Sequence, residues 1–158
     1  NQTIFYTRQD LQTLRAHQIY KHMLGTDPAN DELIFEEKDE TFSTGIYRTK
    51  SKKYMVIASS STLTTEAQIL EASNPSGKFR LFSPREREHE YGIDHADNTF
   101  YIRTNWQAKN FRMMEVTDNQ STEKNNWKEV IPNRTNVLLE GFEVFKEFLV
   151  AEERKEGL

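Results

Sequence analysis

The sequence predicts an all-β protein, a partial β-propeller built from four-stranded antiparallel blades. Three observations predict it: an abundance of aromatic residues, four series of apolar segments repeating about every 48 residues, and turn-forming residues between the segments. Ten Phe, six Tyr and two Trp in 158 residues suit pleated strands better than helices.

The repeat is legible in register. The segments Ile4-Phe5-Tyr6, Tyr54-Met55-Val56, Phe100-Tyr101-Ile102 and Phe148-Leu149-Val150 begin 50, 46 and 48 positions apart. Gly45-Ile46, Gly92-Ile93 and Gly141-Phe142 precede the last three of them. Ile19-Tyr20, Ile69-Leu70 and Met113-Met114 follow the first three. Leu33-Ile34-Phe35, Leu81-Phe82 and Val130-Ile131 close each unit. Four series in one order with a shared period are the mark of propeller blades.

Each unit resolves into four strands. In the second unit these are Ser43–Arg48, Tyr54–Ser59, Glu66–Glu71 and Lys78–Phe82, separated by Lys50-Ser51-Lys52, Ser60–Thr65 and Asn74-Pro75-Ser76-Gly77. In the third they are Tyr91–His95, Thr99–Thr104, Phe111–Thr117 and Trp127–Ile131, with turns at Asp97-Asn98, Gln107–Asn110 and Asp118–Asn126. Apolar residues at consecutive strand positions fit sheets packed on both faces. Gly45, Gly92 and Gly141 fall in register on the innermost strand, where a missing Cβ would allow close backbone approach at the propeller axis. The reading is a single partial propeller domain over 1–158, with an incomplete blade at 1–36, full blades at 43–83 and 90–131, and an incomplete blade at 138–158. That is thirteen strands, about three and a quarter blades. An arc of this kind leaves two sheet edges open, so the sequence reads as a piece cut from a ring, and Asn1 in place of Met fits that reading.

Composition excludes several classes. A net charge of −4 argues against nucleic acid, which demands a basic stripe. No apolar run approaches the roughly 20 residues of a membrane-spanning helix. There is no signal-peptide pattern. Zero cysteines rule out disulfides and thiolate metal sites and are compatible with a reducing cytoplasm, the expected location. Glycosylation-type triplets at Asn1, Asn119 and Asn133 are expected to be chance matches in a non-secreted chain.

The search for chemistry is mostly negative. The Gly-x-Ser-x-Gly nucleophile elbow, phosphate-cradling glycine patterns and dinucleotide fingerprints are absent. Ser, His and Asp all occur, but a triad is recognised by geometry and not by composition. His17 and His22 are five apart and would face opposite sides of a strand; His89 and His95 flank Gly92. All four are expected to be solvated turn or channel histidines, with no metal site and no cofactor. The runs Glu36-Glu37-Lys38-Asp39-Glu40 and Arg85-Glu86-Arg87-Glu88 are expected to be solvated blade connections, with a charged mouth or domain contact as the functional alternative. Asp118–Asn126 reads as a mobile polar loop. Up-and-down strand order puts Ser59–Thr65, Asn105–Asn110 and Arg85–Glu90 on one face of the ring.

Several stretches resemble a known family. Glu36–Ser43 is similar to a blade connection of the oligopeptidase B (protease II) branch of the prolyl oligopeptidase family of serine peptidases. Tyr101-Ile102-Arg103-Thr104-Asn105 with Lys109-Asn110-Phe111-Arg112, Trp127–Pro132 with Leu139-Glu140-Gly141, and Glu152–Leu158 resemble the same family in the same order. The resemblance implies a seven-bladed propeller capping an α/β-hydrolase domain, a cap that admits short peptides, and cleavage after Lys or Arg. It implies no catalytic residue in this chain, because no triad position of the family falls within it; substrate-binding residues are unassigned. The implied partners are the hydrolase domain of the same polypeptide, short peptides, and a second copy through open sheet edges. The alternative is a non-catalytic protein-interaction module of propeller type.

Overall fold

The computed structural model describes residues 2–118, 120 and 122–157, which leaves Asn1 and Asn119 of the glycosylation-type triplets outside the described residues. Thirteen strands run in chain order: β1 Thr3–Gln9, β2 Ala16–Met23, β3 Glu32–Glu36, β4 Ser43–Arg48, β5 Tyr54–Ser60, β6 Thr65–Glu71, β7 Arg80–Ser83, β8 Tyr91–Ala96, β9 Thr99–Thr104, β10 Arg112–Thr117, β11 Lys128–Ile131, β12 Val137–Val144 and β13 Leu149–Lys155. They form four antiparallel sheets in strict up-and-down order: β1-β2-β3, β4-β5-β6-β7, β8-β9-β10-β11 and β12-β13. The only helical elements among the described residues are two single 3-10 turns, Pro28–Asn30 and Lys124–Asn126. The fold is a partial β-propeller, as the repeat predicted.

Local chemistry accounts for the turns. Asp97 takes a left-handed φ of 52° in the two-residue link between β8 and β9, a conformation Asp tolerates better than most residues. Asp27 caps the Pro28–Asn30 turn by accepting the Ala29 amide at 2.9 Å, and Pro28 occupies the first position, where its missing N–H costs nothing.

The main core lies between the second and third sheets. Tyr54, Val56, Ala67, Ile69 and Phe82 from one side meet Tyr91, Ile93, Phe100, Ile102, Met114, Val116 and Trp127 from the other. Consecutive Val56 and Ile57 are both buried, as a sheet covered on both faces requires. The apolar triplets of the second and third units do lie on the second strands of their four-stranded sheets, yet they face opposite ways. Gly45 pairs with Ala58, which lies four residues after Tyr54, whereas Gly92 pairs with Arg103, which lies three residues after Phe100, so the triplet is displaced by one position against the glycine register. Tyr54 therefore points forward and Phe100 back, and the rings meet with centroids 4.9 Å apart. An odd offset in a period-2 strand exchanges the faces.

The glycine register is real, but its expected cause is not. A Cβ on Gly45 or Gly92 would meet no atom within 4 Å; only at Gly141 does it meet anything, the flexible Glu152 side chain. These positions face open space instead of crowded backbone. Gly45→Ala and Gly92→Ala are expected to raise the free energy of unfolding by about 0.4–1 kcal/mol each by narrowing the unfolded ensemble, measured by urea titration. A loss of stability in both would show that the backbone there needs glycine.

Candidate functional site

The most organised polar cluster joins the second and third blades. The β4–β5 turn, with Lys52 at a φ of 63°, carries Ser51 to the end of β8, where the Ser51 amide donates to the His95 carbonyl at 2.9 Å. The His95 ring is fully buried, edge-on to Tyr54 and Phe100 at 4.9 and 4.6 Å. Its Nδ1 lies 2.7 Å from Ser51 Oγ and its Nε2 lies 2.6 Å from Asp118 Oδ1. The other oxygen of Asp118 accepts Tyr54 Oη at 3.0 Å, and the Arg80 guanidinium donates to the Asp118 carbonyl at 2.8 Å. Burial, reinforced by the Asp118 carboxylate, pushes the Tyr54 phenol up to about 12.

A serine, a histidine and an aspartate thus stand in a relay. The carboxylate fixes the proton on Nε2 in the neutral ring, and Nδ1 then accepts from the Ser51 hydroxyl. Ser51 and Asp118 also line an open cleft of about 710 Å³ with Arg48, Tyr54 and Glu71. A nucleophile needs in addition free donors where an oxyanion would form. The nearby amides are committed: Ser51 N–H to the His95 carbonyl, Lys52 N–H to the Thr49 carbonyl and Lys53 N–H to Ser51 Oγ itself. This geometry suits a clamp between blades better than acyl transfer. Asp118→Ala strands two buried donors and is expected to cost about 2–3 kcal/mol in urea unfolding; a change below about 0.5 kcal/mol would remove the clamp from the account.

The histidines depart from the solvated positions expected of them. His95 and His89 are both buried. His89 stacks on Tyr91 at 4.9 Å and bonds Thr104 Oγ1 through Nε2 at 2.9 Å. His17 and His22 share β2 but no partner: His17 Nδ1 contacts the Arg15 carbonyl at 3.2 Å, and His22 Nδ1 contacts Asp31 at 2.7 Å. Among the described residues no group of three or more His, Asp or Glu could hold a metal.

The two charge runs also depart from simple solvated connections, because they meet each other. Arg85 lies over the Phe42 ring at 3.8 Å and pairs with the buried Glu37 at 2.6 Å. Arg15, from the first blade, donates to the carbonyls of Glu37, Asp39 and Phe42. A buried carboxylate without such partners would be costly, which explains why one Glu of an acidic run takes a buried place. The polar segment after β10 is likewise tied down at Asp118 and at Lys124, whose ammonium pairs with Glu86 at 2.7 Å. The loops expected to share a face do so. The Thr65 amide donates to the His89 carbonyl at 2.9 Å, and the Asn105 amide donates to the Glu90 carbonyl at 3.1 Å.

Comparison with known proteins places this arrangement. The family model for the prolyl oligopeptidase N-terminal β-propeller domain matches residues 1–158. The chain belongs to that family. Within it, the chain is 38% identical to dipeptidyl aminopeptidase BI of Pseudoxanthomonas mexicana over 99% of this chain and 21% of that protein. It is 34% identical to protease 2 of Moraxella lacunata over 98% of this chain and 22% of that one. Its fold superposes on oligopeptidase B from Leishmania major with a TM-score of 0.90 at 24% identity, covering 100% of this chain and 22% of the other. Oligopeptidase B from Trypanosoma brucei, in a closed form with covalently bound antipain, gives a TM-score of 0.89 at 24% identity over 99% and 22%. The chain spans about a fifth of the length of the relatives it matches.

No helix among the described residues is long and apolar enough to cross a membrane. The relay of Ser51, His95 and Asp118 was invisible to pattern reading, since its members stand on three separate elements and share no local spacing.

Proposed function

We propose that the chain is the cap segment of a cytoplasmic serine oligopeptidase that hydrolyses short peptides after Lys or Arg. In this reading the propeller filters substrates by size and gates access, while an α/β-hydrolase domain of the same polypeptide breaks the bond. The observation that carries it is the match of the propeller family along the whole chain, together with relatives about five times longer that are named as peptidases. The committed amides around Ser51 support the division of labour, because they leave the relay of Ser51, His95 and Asp118 without an oxyanion site. Self-association of the isolated chain through open sheet edges belongs to the same reading.

The test compares two polypeptides on an arginyl fluorogenic peptide. The 158-residue chain is expected to be inactive, and the longer polypeptide that contains it active and blocked by a serine-directed reagent. Turnover by the short chain that survives repurification and is abolished by Ser51→Ala would overturn the proposal. A longer polypeptide that binds proteins but cleaves no basic peptide would favour an interaction module.

A further inference from the structure

The open cleft of about 710 Å³ at the junction of the second and third blades has fixed walls: the β4–β5 turn, the end of β6 with the residues that follow it, and Asp118. Arg48 Nε and Nη2 both donate to the Lys52 carbonyl, at 3.0 and 2.8 Å, and hold the turn in shape. The Ala72 amide donates to the Lys53 carbonyl at 2.7 Å and ties the end of β6 to that turn. Asp118 is pinned by His95 and Tyr54.

Some of the charge on these walls plays no part in holding them. The Lys52 ammonium and the Glu71 carboxylate make no hydrogen bond or ion pair among the described residues. Arg48 commits only Nε and Nη2 of its guanidinium, which leaves Nη1. All three residues are exposed. Lys53, by contrast, spends its ammonium on the Asp97 carbonyl and the Asn98 side chain, and Asp118 spends both carboxylate oxygens. The cleft therefore has unspent cations on the turn and an unspent carboxylate on β6.

The separation of these charges selects the ligand. Arg48 pairs with Met55 and Met55 with Leu70, so Arg48 stands two strand spacings, about 10 Å, from the end of β6 where Glu71 lies. An extended chain advances about 3.3–3.6 Å per residue, so two or three residues bridge that span. A simple anion would answer the cations and leave Glu71 opposed, and a simple cation would do the reverse. A ligand with one positive and one negative end at this distance answers both.

We propose that this cleft binds a free peptide of two or three residues by its ends, the carboxylate on Lys52 and Arg48 Nη1 and the ammonium on Glu71. Such a site reads termini instead of side chains, and its fixed walls keep the ordering cost of binding low. It goes beyond the peptidase reading, in which the hydrolase domain holds the peptide to be cleaved.

Tri-alanine, which offers no basic residue for cleavage, is the probe. Titrated into the isotope-labelled 158-residue chain, it is expected to shift the amide resonances of Lys52, Lys53, Ala72 and Ser73 with a millimolar Kd. Acetylating its amino end or amidating its carboxyl end should each weaken binding about tenfold or more, because a charge-assisted bond is lost and a wall charge is left unanswered. Glu71→Gln should weaken tri-alanine and leave the acetylated peptide unchanged; Lys52→Met should weaken tri-alanine and leave the amidated peptide unchanged. Both side chains are exposed, so the variants are expected to fold, and unaltered resonances elsewhere check this. Equal affinity for free and blocked peptides, shifts confined to other residues, or no shift at all would overturn the proposal. The blocked-end pattern should persist in the longer polypeptide, read by calorimetry after a serine-directed reagent has closed its hydrolytic site, and its loss there would overturn the proposal as well. A longer polypeptide that cleaves no arginyl peptide but binds tri-alanine by its ends sinks the peptidase reading alone. One that cleaves them while neither polypeptide binds tri-alanine sinks the cleft alone.

Discussion

Phe82→Ala is expected to lower the unfolding free energy of the chain by about 3–5 kcal/mol, the range for emptying a large aromatic site in a packed core. Phe82 sits on β7, the outermost strand of the second blade, where a half-exposed residue would be unremarkable. It is instead fully buried, with its ring centroid 5.0 Å from Phe100 and 6.2 Å from both Tyr91 and Trp127. Those three rings belong to the third blade or its entry, so the truncation opens a cavity at the junction and not within one sheet. Sheets on either side are rigid, which limits collapse into the void. The neighbouring Leu81 points the other way and is 37% exposed; Leu81→Ala should cost less than about 1 kcal/mol. Urea titration followed by Trp106 and Trp127 fluorescence measures both. Equal costs at the two positions would mean that the junction is not the main core.

Acid should weaken the same junction through His89. Its imidazole is buried, Nε2 is bonded to Thr104, and Nδ1 has no partner among the described residues. Burial pushes its pKa down to about 4, with the Lys124 ammonium adding to the effect and the Glu86 carboxylate opposing it. An unfolded histidine titrates near 6.5. Between these values the unfolded chain binds a proton that the folded chain refuses, so stability rises with pH across this window. The contribution is complete above about pH 6.5 and is lost progressively as pH falls to about 4, by roughly 3 kcal/mol in all. Asp10, Asp31 and Asp39 act lower on the scale. Hydrogen bonds from the Thr13 and Thr41 segments hold Asp10 and Asp39 below the usual carboxylate range, and those from His22 and Tyr6 do the same for Asp31 against the opposing effect of burial. Their depressed values leave stability intact above the ordinary carboxylate pKa, near 4, and remove it only as pH falls further. Urea midpoints at pH 7, 5.5 and 4.5 separate the two windows. His89→Phe should flatten the profile above pH 4.5, and a profile as steep as that of the unsubstituted chain would assign the acid sensitivity elsewhere.

The blade repeat was legible because strand and turn chemistry is local. β4 and β9 run from Ser43 to Arg48 and from Thr99 to Thr104, the spans their alternation and flanking turns predict, while β7 begins two residues late at Arg80. Edge strands such as β7 lack a second neighbour to enforce their ends, so their limits follow packing more than pattern. The resemblance to the prolyl oligopeptidase propeller was legible for the same reason, since the motifs that carry it are contiguous stretches of scaffold.

What the sequence determined alone was therefore the fold class, the strand order and the family. The tertiary structure decided which face each strand turns to its neighbour, and with it everything that resembles a site. Tyr54 and Phe100 look equivalent in the repeat, yet they stand four and three residues before the partners of Gly45 and Gly92, and that one-residue offset turns them toward each other. Ser51, His95 and Asp118, like Glu37 and Arg85, are far apart in the chain and adjacent only after blades stack. Side-chain alternation has a period of two and can be read along a strand; contacts between sheets depend on turn lengths and on packing across a junction, which no local pattern encodes.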